Sequence, residues 1–321
     1  MKITFYCRLV KLLNVSAVLV LSVLLLLSRI RFRRHLPKPS PIPAQDYRLI
    51  SPETYKYILN QPAACKHRSP LLVLMVPVSP GERTAREAIR KTWGAPGSNT
   101  LTMFYVGLPE EGPTSHLQDS LGKESQQHGD IIQMDFLDSY HNLTIKTMMI
   151  MNWLATYCPT ASYAMKVDAD VFVNVFHLIR QLSGSPRQGY ITGSVIADGR
   201  PRRDSNSKWH LSQDLYPQDS FPPYLSGAGY VFSTDLAERI SGASRFVRMI
   251  PLEDVYVGLC LRVLGVQPTY SQSLLTLTNL FEIQKLEYER CTFAKRVIVT
   301  GFKPAELLLI WQDFSQGHLS C

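Results

Sequence analysis

The first 38 residues contain no Asp or Glu, and residues 12–28 contain no charge of either sign. Eight of the 34 basic residues lie in that opening stretch: Lys2, Arg8, Lys11, Arg29, Arg31, Arg33, Arg34 and Lys38. Beyond it, 34 − 8 leaves 26 basic residues against all 26 acidic ones. The net charge of +8 therefore flanks one apolar segment. It does not describe a basic domain, and nucleic acid is excluded as a partner. Other absences narrow the chemistry. No GxxxxGK[ST] loop, GxSxG elbow, HExxH pair or kinase motif set occurs, which sets aside P-loop, hydrolase, zincin and kinase mechanisms. No CxxC pair, zinc spacing or internal repeat is present. With 45% hydrophobic and 19% charged residues, the 321-residue chain is neither a disordered tail nor a coiled coil.

The apolar segment, LLNVSAVLVLSVLLLLS, rises about 25 Å as a helix, enough for a thin bilayer. No small-residue cleavage site follows it; the next residues are Arg29-Ile30-Arg31. The expectation is an uncleaved signal-anchor over 12–28 with a short cytosolic tail, 1–11, and everything large in the lumen. Three basic residues precede the segment and four follow closely, so flanking charge alone does not orient it. Residues 29–67 hold six prolines and read as an extended stem. Asn142-Leu143-Thr144 is a glycosylation acceptor triplet. Five cysteines follow the anchor, an odd number, so at least one is free or pairs with another chain. Their pairings stay open.

From residue 68 the texture is that of an α/β domain. Leu71–Val78 is an apolar run suited to a strand buried on both faces. Strands are expected at 101–108, 131–136, 162–167, 189–196 and 229–233. Helices are expected at 82–93, 112–128, 142–157, 175–182, 252–264 and 304–314. Ligands of such sheets sit beyond the strand C-terminal ends.

Four constellations could carry chemistry there. Asp168 and Asp170 leave the strand ending at Val167; two hard oxygen ligands suit Mg²⁺ or Mn²⁺ against a diphosphate. A calcium loop is excluded because Phe172 and Val173 occupy required positions. Alone, the pair reads as a helix cap beside a solvated acid. Glu253-Asp254 opens an apolar helix; the pair fits the helix dipole, or supplies a general base. Arg83, Arg86 and Arg90 share one helix side, to meet phosphate or to form ion pairs. Phe221-Pro222-Pro223-Tyr224-Leu225-Ser226-Gly227-Ala228-Gly229-Tyr230 permits close approach of ligand or backbone, or forms a turn.

In combination these motifs are specific. In order come Arg83-x-x-Arg86-x-x-x-Arg90-x-Thr92-Trp93-Gly94, then Asp135-Phe136-x-Asp138-x-Tyr140-x-Asn142-Leu143-Thr144-x-Lys146-Thr147, then Lys166-x-Asp168-x-Asp170. Pro222-Pro223-Tyr224-x-Ser226-Gly227-x-Gly229-Tyr230 and Glu253-Asp254-Val255-Tyr256-Val257-Gly258 follow. The series resembles the β-1,3-galactosyltransferase family, which includes related β-1,3-N-acetylglucosaminyltransferases, over roughly 68–321.

The resemblance implies a GT-A-like nucleotide-sugar-binding fold with a mostly parallel sheet, behind a single transmembrane helix, in a type II Golgi membrane protein. It implies an inverting transfer of galactose from UDP-galactose to the 3-hydroxyl of an acceptor oligosaccharide on a glycoprotein or glycolipid. N-acetylglucosamine transfer, or a silent partner of another glycosyltransferase, is the alternative; homo- or hetero-oligomers stay open. By the same likeness, Asp168 and Asp170 hold Mn²⁺ or Mg²⁺ against the UDP diphosphate. Asp254 is the base and Glu253 its support. Arg86, Arg90, Trp93 and Lys146 shape the nucleotide side, and Asn142 carries a glycan. Two departures stand out. Relatives carry a metal-side His in the stretch matching Val297–Lys303, which has none here. Relatives also have Cys where Leu225 stands.

Overall fold

The computed structural model describes residues 18–23, 39–97, 99–274, 286–318 and 321. It divides into two compact units, Met1–Ser40 and Pro41–Cys321. In the first, Val18–Val23 is helical and exposed. Among the described residues no helix is long and apolar enough to cross a membrane. Apart from those six residues, the expected anchor over 12–28 lies outside the described residues, as does the tail.

In the second unit, the strands are β1 (Tyr57–Leu59), β2 (Leu72–Pro77), β3 (Thr100–Leu108), β4 (Ile131–Leu137), β5 (Tyr163–Val167), β6 (Val171–Val173), β7 (Ile191–Ile196), β8 (Tyr224–Ser233), β9 (Thr269–Tyr270) and β10 (Ile298–Thr300). The helices between them are α1 (Arg83–Arg90), α2 (His116–His128), α3 (Leu143–Tyr157), α4 (Val175–Leu182), α5 (Asp235–Ala243), α6 (Glu253–Leu264), α7 (Arg290–Ala294) and α8 (Pro304–Gly317). One sheet runs β1-β4-β3-β2-β5-β8-β7-β9; β6 and β10 form a second, two-stranded sheet. The centre, β4-β3-β2-β5, is parallel, and β1, β8 and β7 pair antiparallel at its flanks.

The apolar run of β2 explains its central place, since a strand hydrophobic on both faces needs cover on both. Its residues divide by period two. Val73 and Met75 join a core with α3, α5 and α6, whereas Leu72, Leu74 and Val76 join one with Ile89, Trp93, Leu121 and Leu178. The domain is thus a three-layer α/β/α sandwich.

Several elements differ from the sequence reading. Folded structure begins before residue 68: Tyr57 pairs with Met134 at the sheet edge, Ile50 is fully buried, and Cys65 bonds Cys158. β8 starts at Tyr224, where Pro222, Pro223 and four small residues suggest a turn or close-approach segment. Cys291 bonds Cys321. The odd cysteine is Cys260, buried in the same core cluster as Leu225.

Candidate active site at the ends of strand 5 and helix 6

β5 ends at Val167, yet the ladder continues one step, because the Asp168 N–H donates to the Ala228 carbonyl at 3.1 Å. The chain then turns at Ala169-Asp170 and enters β6. The Asp170 carbonyl accepts from Gly301 N at 3.0 Å and Phe302 N at 2.8 Å, tying this turn to the end of β10. The stretch Val297–Lys303 therefore runs beside Asp170, with Thr300 opposite Val171.

α6 brings the second acid pair to the same place. Leu252 is extended, and Glu253 and Asp254 occupy the first turn. The helix lies close on β8 because position 258 has no side chain; a Cβ there would sit 2.6 Å from the Tyr224 Cβ. Gly227 has a similar reason, since its Cβ would come within 2.7 Å of Glu253 Oε1. The small residues of the fourth motif thus admit the acid-bearing helix, which is the close-backbone alternative of the sequence reading.

Lys166 joins the two pairs. Its buried ammonium donates to Asp168 Oδ1 at 2.7 Å, Glu253 Oε1 at 2.9 Å and the Gly227 carbonyl at 2.5 Å. Burial opposes its charge, but Asp168 and Glu253 outweigh burial and hold its pKa above the ordinary lysine value. Glu253 also accepts from Thr147 Oγ1 at 3.3 Å. Burial pushes the Glu253 carboxyl up to about 7, against the opposing Lys166 charge. Asp254 is likewise raised, by burial first, while the Val255 N–H and Lys166 favour its ionised form. Asp170 is raised by partial desolvation and then by its neighbour Asp168.

Four carboxyl groups thus gather around one buried ammonium, which contacts two of them, Asp168 and Glu253. Among the described residues no group of three or more His, Cys, Asp and Glu is placed to hold a metal ion. Asp168 and Asp170 nevertheless fit a divalent cation of the open kind, in which one or two carboxylates are completed by substrate phosphates and water. Lys166 occupies only one Asp168 oxygen, and the side chain stays 42% exposed. The repulsion that raises Asp170 is what a cation relieves.

The basic residues expected on the nucleotide side are placed differently. Arg86 is buried and fully engaged, with Glu124 through two nitrogens at 2.8 Å and with the carbonyls of Ser79 and Pro80. Arg90 pairs with Glu124 at 2.7 Å and Asp130 at 2.8 Å. Trp93 is 2% exposed in the core beside Ile89. The helix spacing was right, but the ion-pair reading describes these arginines, which have no free face for a nucleotide. Lys146 is buried on Asp138, at 2.7 and 2.8 Å, and on the Val78 carbonyl. The Asn142 amide donates to the Leu137 carbonyl, and Thr144 is buried with its hydroxyl on Ile250.

Sequence reasoning missed three contributors. Lys166 had a signal: it stands two residues before Asp168, hence on the same strand face. Tyr140 and Tyr224 stand inside the sequence motifs, at the starts of a 3-10 turn and of β8, but nothing local assigns either of them a role. Burial raises the Tyr140 phenol, the Trp209 indole opposes, and Asp254, Asp168 and Glu253 raise it further. Burial, then Asp254 and Asp198, push Tyr224 up to about 12.

The galactosyltransferase family model matches residues 84–272. The chain is 42% identical over 275 residues to beta-1,3-galactosyltransferase 2 of Mus musculus and of Homo sapiens, covering 83% of this chain and 64% of theirs. It is 42% identical over 282 residues to beta-1,3-galactosyltransferase 1 of Mus musculus, covering 85% of this chain and 83% of that one. It thus spans somewhat under two thirds of the first relatives and most of the second. The solved galactosyltransferase LgtC, in complex with donor and acceptor sugar analogues, aligns with a TM-score of 0.38 and 12% identity over 77% of this chain and 95% of that chain, a likeness too loose to argue from. With the family model over more than half its length and relatives matched over most of it, the chain belongs to the galactosyltransferase family.

Proposed function

We propose that the protein is an inverting β-1,3-galactosyltransferase that moves galactose from UDP-galactose to the 3-hydroxyl of an acceptor sugar. The observation that carries this reading is the surplus of carboxylates at the ends of β5 and α6, four to one buried ammonium. Such a site can take a cation and can take a proton.

Asp254 is the base. Its raised pKa lies nearer to neutrality than an ordinary aspartate's, which favours proton transfer near physiological pH. The acceptor oxygen forms a bond to the anomeric carbon, the bond from that carbon to the UDP oxygen breaks, and the acceptor proton passes to Asp254. One displacement suffices, so no covalent nucleophile is needed. Glu253, fixed by Lys166 and Thr147, holds the first turn of α6 in place. Lys166 sets the spacing between donor side and base, because it touches Asp168 and Glu253 at once. A Mn²⁺ or Mg²⁺ ion at Asp168 and Asp170 would offset charge developing on the departing diphosphate. Two disulfides accord with folding in an oxidising compartment. That supports a luminal domain, and the wider proposal is a type II Golgi membrane protein with a glycan on Asn142 and an acceptor on a glycoprotein or glycolipid.

The test is release of UDP from UDP-galactose by the full chain, with and without Mn²⁺, over an acceptor panel. Metal-dependent turnover is expected. Absence of turnover with any UDP-sugar in a folded protein would overturn the reading, and preference for UDP-N-acetylglucosamine would replace the donor.

A further inference from the structure

The loop between β7 and β8 carries three exposed side chains that the reaction above does not use: Arg202, Lys208 and Trp209. The loop is pinned rather than loose. The Arg203 guanidinium donates to the carbonyls of Leu211 at 2.7 Å, Tyr216 at 2.8 Å and Gln218 at 2.9 Å. The Arg202 backbone pairs with His210, and its carbonyl accepts from Leu211 N at 2.9 Å. At the loop's end Phe221 N donates to the Gly199 carbonyl at 2.8 Å.

On this frame both cations gather at one ring. The Arg202 guanidinium carbon is 5.3 Å and the Lys208 ammonium 4.6 Å from the Trp209 ring centroid. Neither cation has a carboxylate partner within ion-pair distance among the described residues. The ring is 44% exposed. Two like charges held side by side repel, and an anion between them removes that cost. The cluster also borders the proposed base. A Cβ at Gly199, three residues before Arg202, would sit 2.6 Å from the Tyr224 ring, and Tyr224 in turn packs on position 258 of the helix that Asp254 opens.

We propose that Arg202, Lys208 and Trp209 form an acceptor subsite for an acidic carbohydrate, one bearing a sulfate or carboxylate on the sugar next to the one whose hydroxyl reacts. This rests on the galactosyltransferase reading. The indole offers an apolar face to a sugar ring, and the two cations supply what a neutral sugar would not use. The acid belongs on the neighbouring sugar and not on the reacting one. The reacting sugar lies against the Asp254 carboxylate, which repels an anion, whereas the Trp209 end carries the two cations.

The experiment compares three disaccharide acceptors of one backbone: neutral, 6-sulfated, and with the outer sugar as a uronic acid. The full chain is assayed in detergent with UDP-galactose at low salt. At least one acidic acceptor is expected to show kcat/KM about tenfold above the neutral one, as two charge-assisted contacts allow. Which acid gains separates sulfate from carboxylate. In R202A/K208A the acidic-to-neutral ratio should fall to about one, and 0.5 M salt should lower it in the unaltered protein, as screening of exposed charges requires. Equal or better use of the neutral acceptor by the unaltered protein overturns the proposal, as does a ratio that survives in R202A/K208A. If no acceptor reacts, the activity reading fails separately. Saturation-transfer NMR with the same three sugars then decides the subsite. Contact with an acidic sugar alone, lost in R202A/K208A, supports it; equal contact with all three overturns it.

Discussion

The ion cluster under α1 and the acid cluster at the ends of β5 and α6 are both built from side chains that are rarely buried. They differ in balance. Arg86 and Arg90 face Glu124 and Asp130, two charges against two, with Glu124 1% exposed and every guanidinium edge satisfied. Lys166 pairs with Asp168 and Glu253, and Asp170 and Asp254 beside them have no ion-pair partner among the described residues, so four carboxyl groups gather around one ammonium, and Asp168 remains 42% exposed. The balanced cluster can only hold the fold together. The unbalanced one has capacity left for a cation and a proton. Electrostatic bookkeeping, more than residue type, separates a structural ion network from a reactive site.

That contrast can be broken at several points. The largest effect is expected from Asp254→Asn. General-base removal should lower turnover by about 10²–10⁴-fold, while UDP binding persists and the melting temperature does not fall. Substantial residual turnover would remove Asp254 from the role of base. Next is Glu124→Gln, which leaves Arg86 and Arg90 without their shared carboxylate. Breaking a buried network costs about 3–5 kcal/mol, read in denaturant unfolding, with UDP affinity of the folded fraction unchanged. A loss of UDP affinity without a loss of stability would return these arginines to the nucleotide site.

Smaller effects sharpen the picture. Gly227→Ala would place a Cβ 2.7 Å from Glu253 Oε1. Overpacking of this kind costs about 1–3 kcal/mol, and the displaced acid pair should lower kcat more than it weakens UDP binding. An alanine variant with unchanged kcat would mean that α6 has slack at its first turn. The smallest effect concerns pH. The Glu253 carboxyl is pushed from its ordinary 4.5 up to about 7, by burial. The folded state therefore favours its protonated form. That contribution to stability is complete below pH 4.5 and is lost as pH rises through about 7. Glu253→Gln should flatten the fall in stability across this window, and an unchanged slope would show that Glu253 titrates normally.

Much of the scaffold was legible because its signals are local. The run Leu71–Val78 and the helices at 143–157 and 253–264 announce burial by apolar density alone. Other elements depend on partners far along the chain. β6 and β10 are three residues each and pair across more than a hundred positions. β1 hides in a proline-rich stretch because its pairing with β4 uses only a few residues. α5 went unassigned, since Asp235–Ala243 mixes acids, glycine and apolar residues without a long stripe. The acids of the site were legible as pairs, because a strand end and a helix start place neighbouring residues together. The arginines were ambiguous for the opposite reason: Glu124 lies 38 residues beyond Arg86, and helix spacing cannot see it. Arg202, Lys208 and Trp209 were invisible as a group, because only the folded loop brings the two cations to one ring.

Calorimetric titration of UDP, with and without Mn²⁺, into the unaltered full chain, Asp168→Asn/Asp170→Asn and Glu124→Gln tests the imbalance most directly. The account predicts metal-dependent binding to the unaltered protein and to folded Glu124→Gln, and none to Asp168→Asn/Asp170→Asn at undiminished thermal stability. Metal-dependent UDP binding that survives loss of both aspartates, or disappears with Glu124, would contradict it.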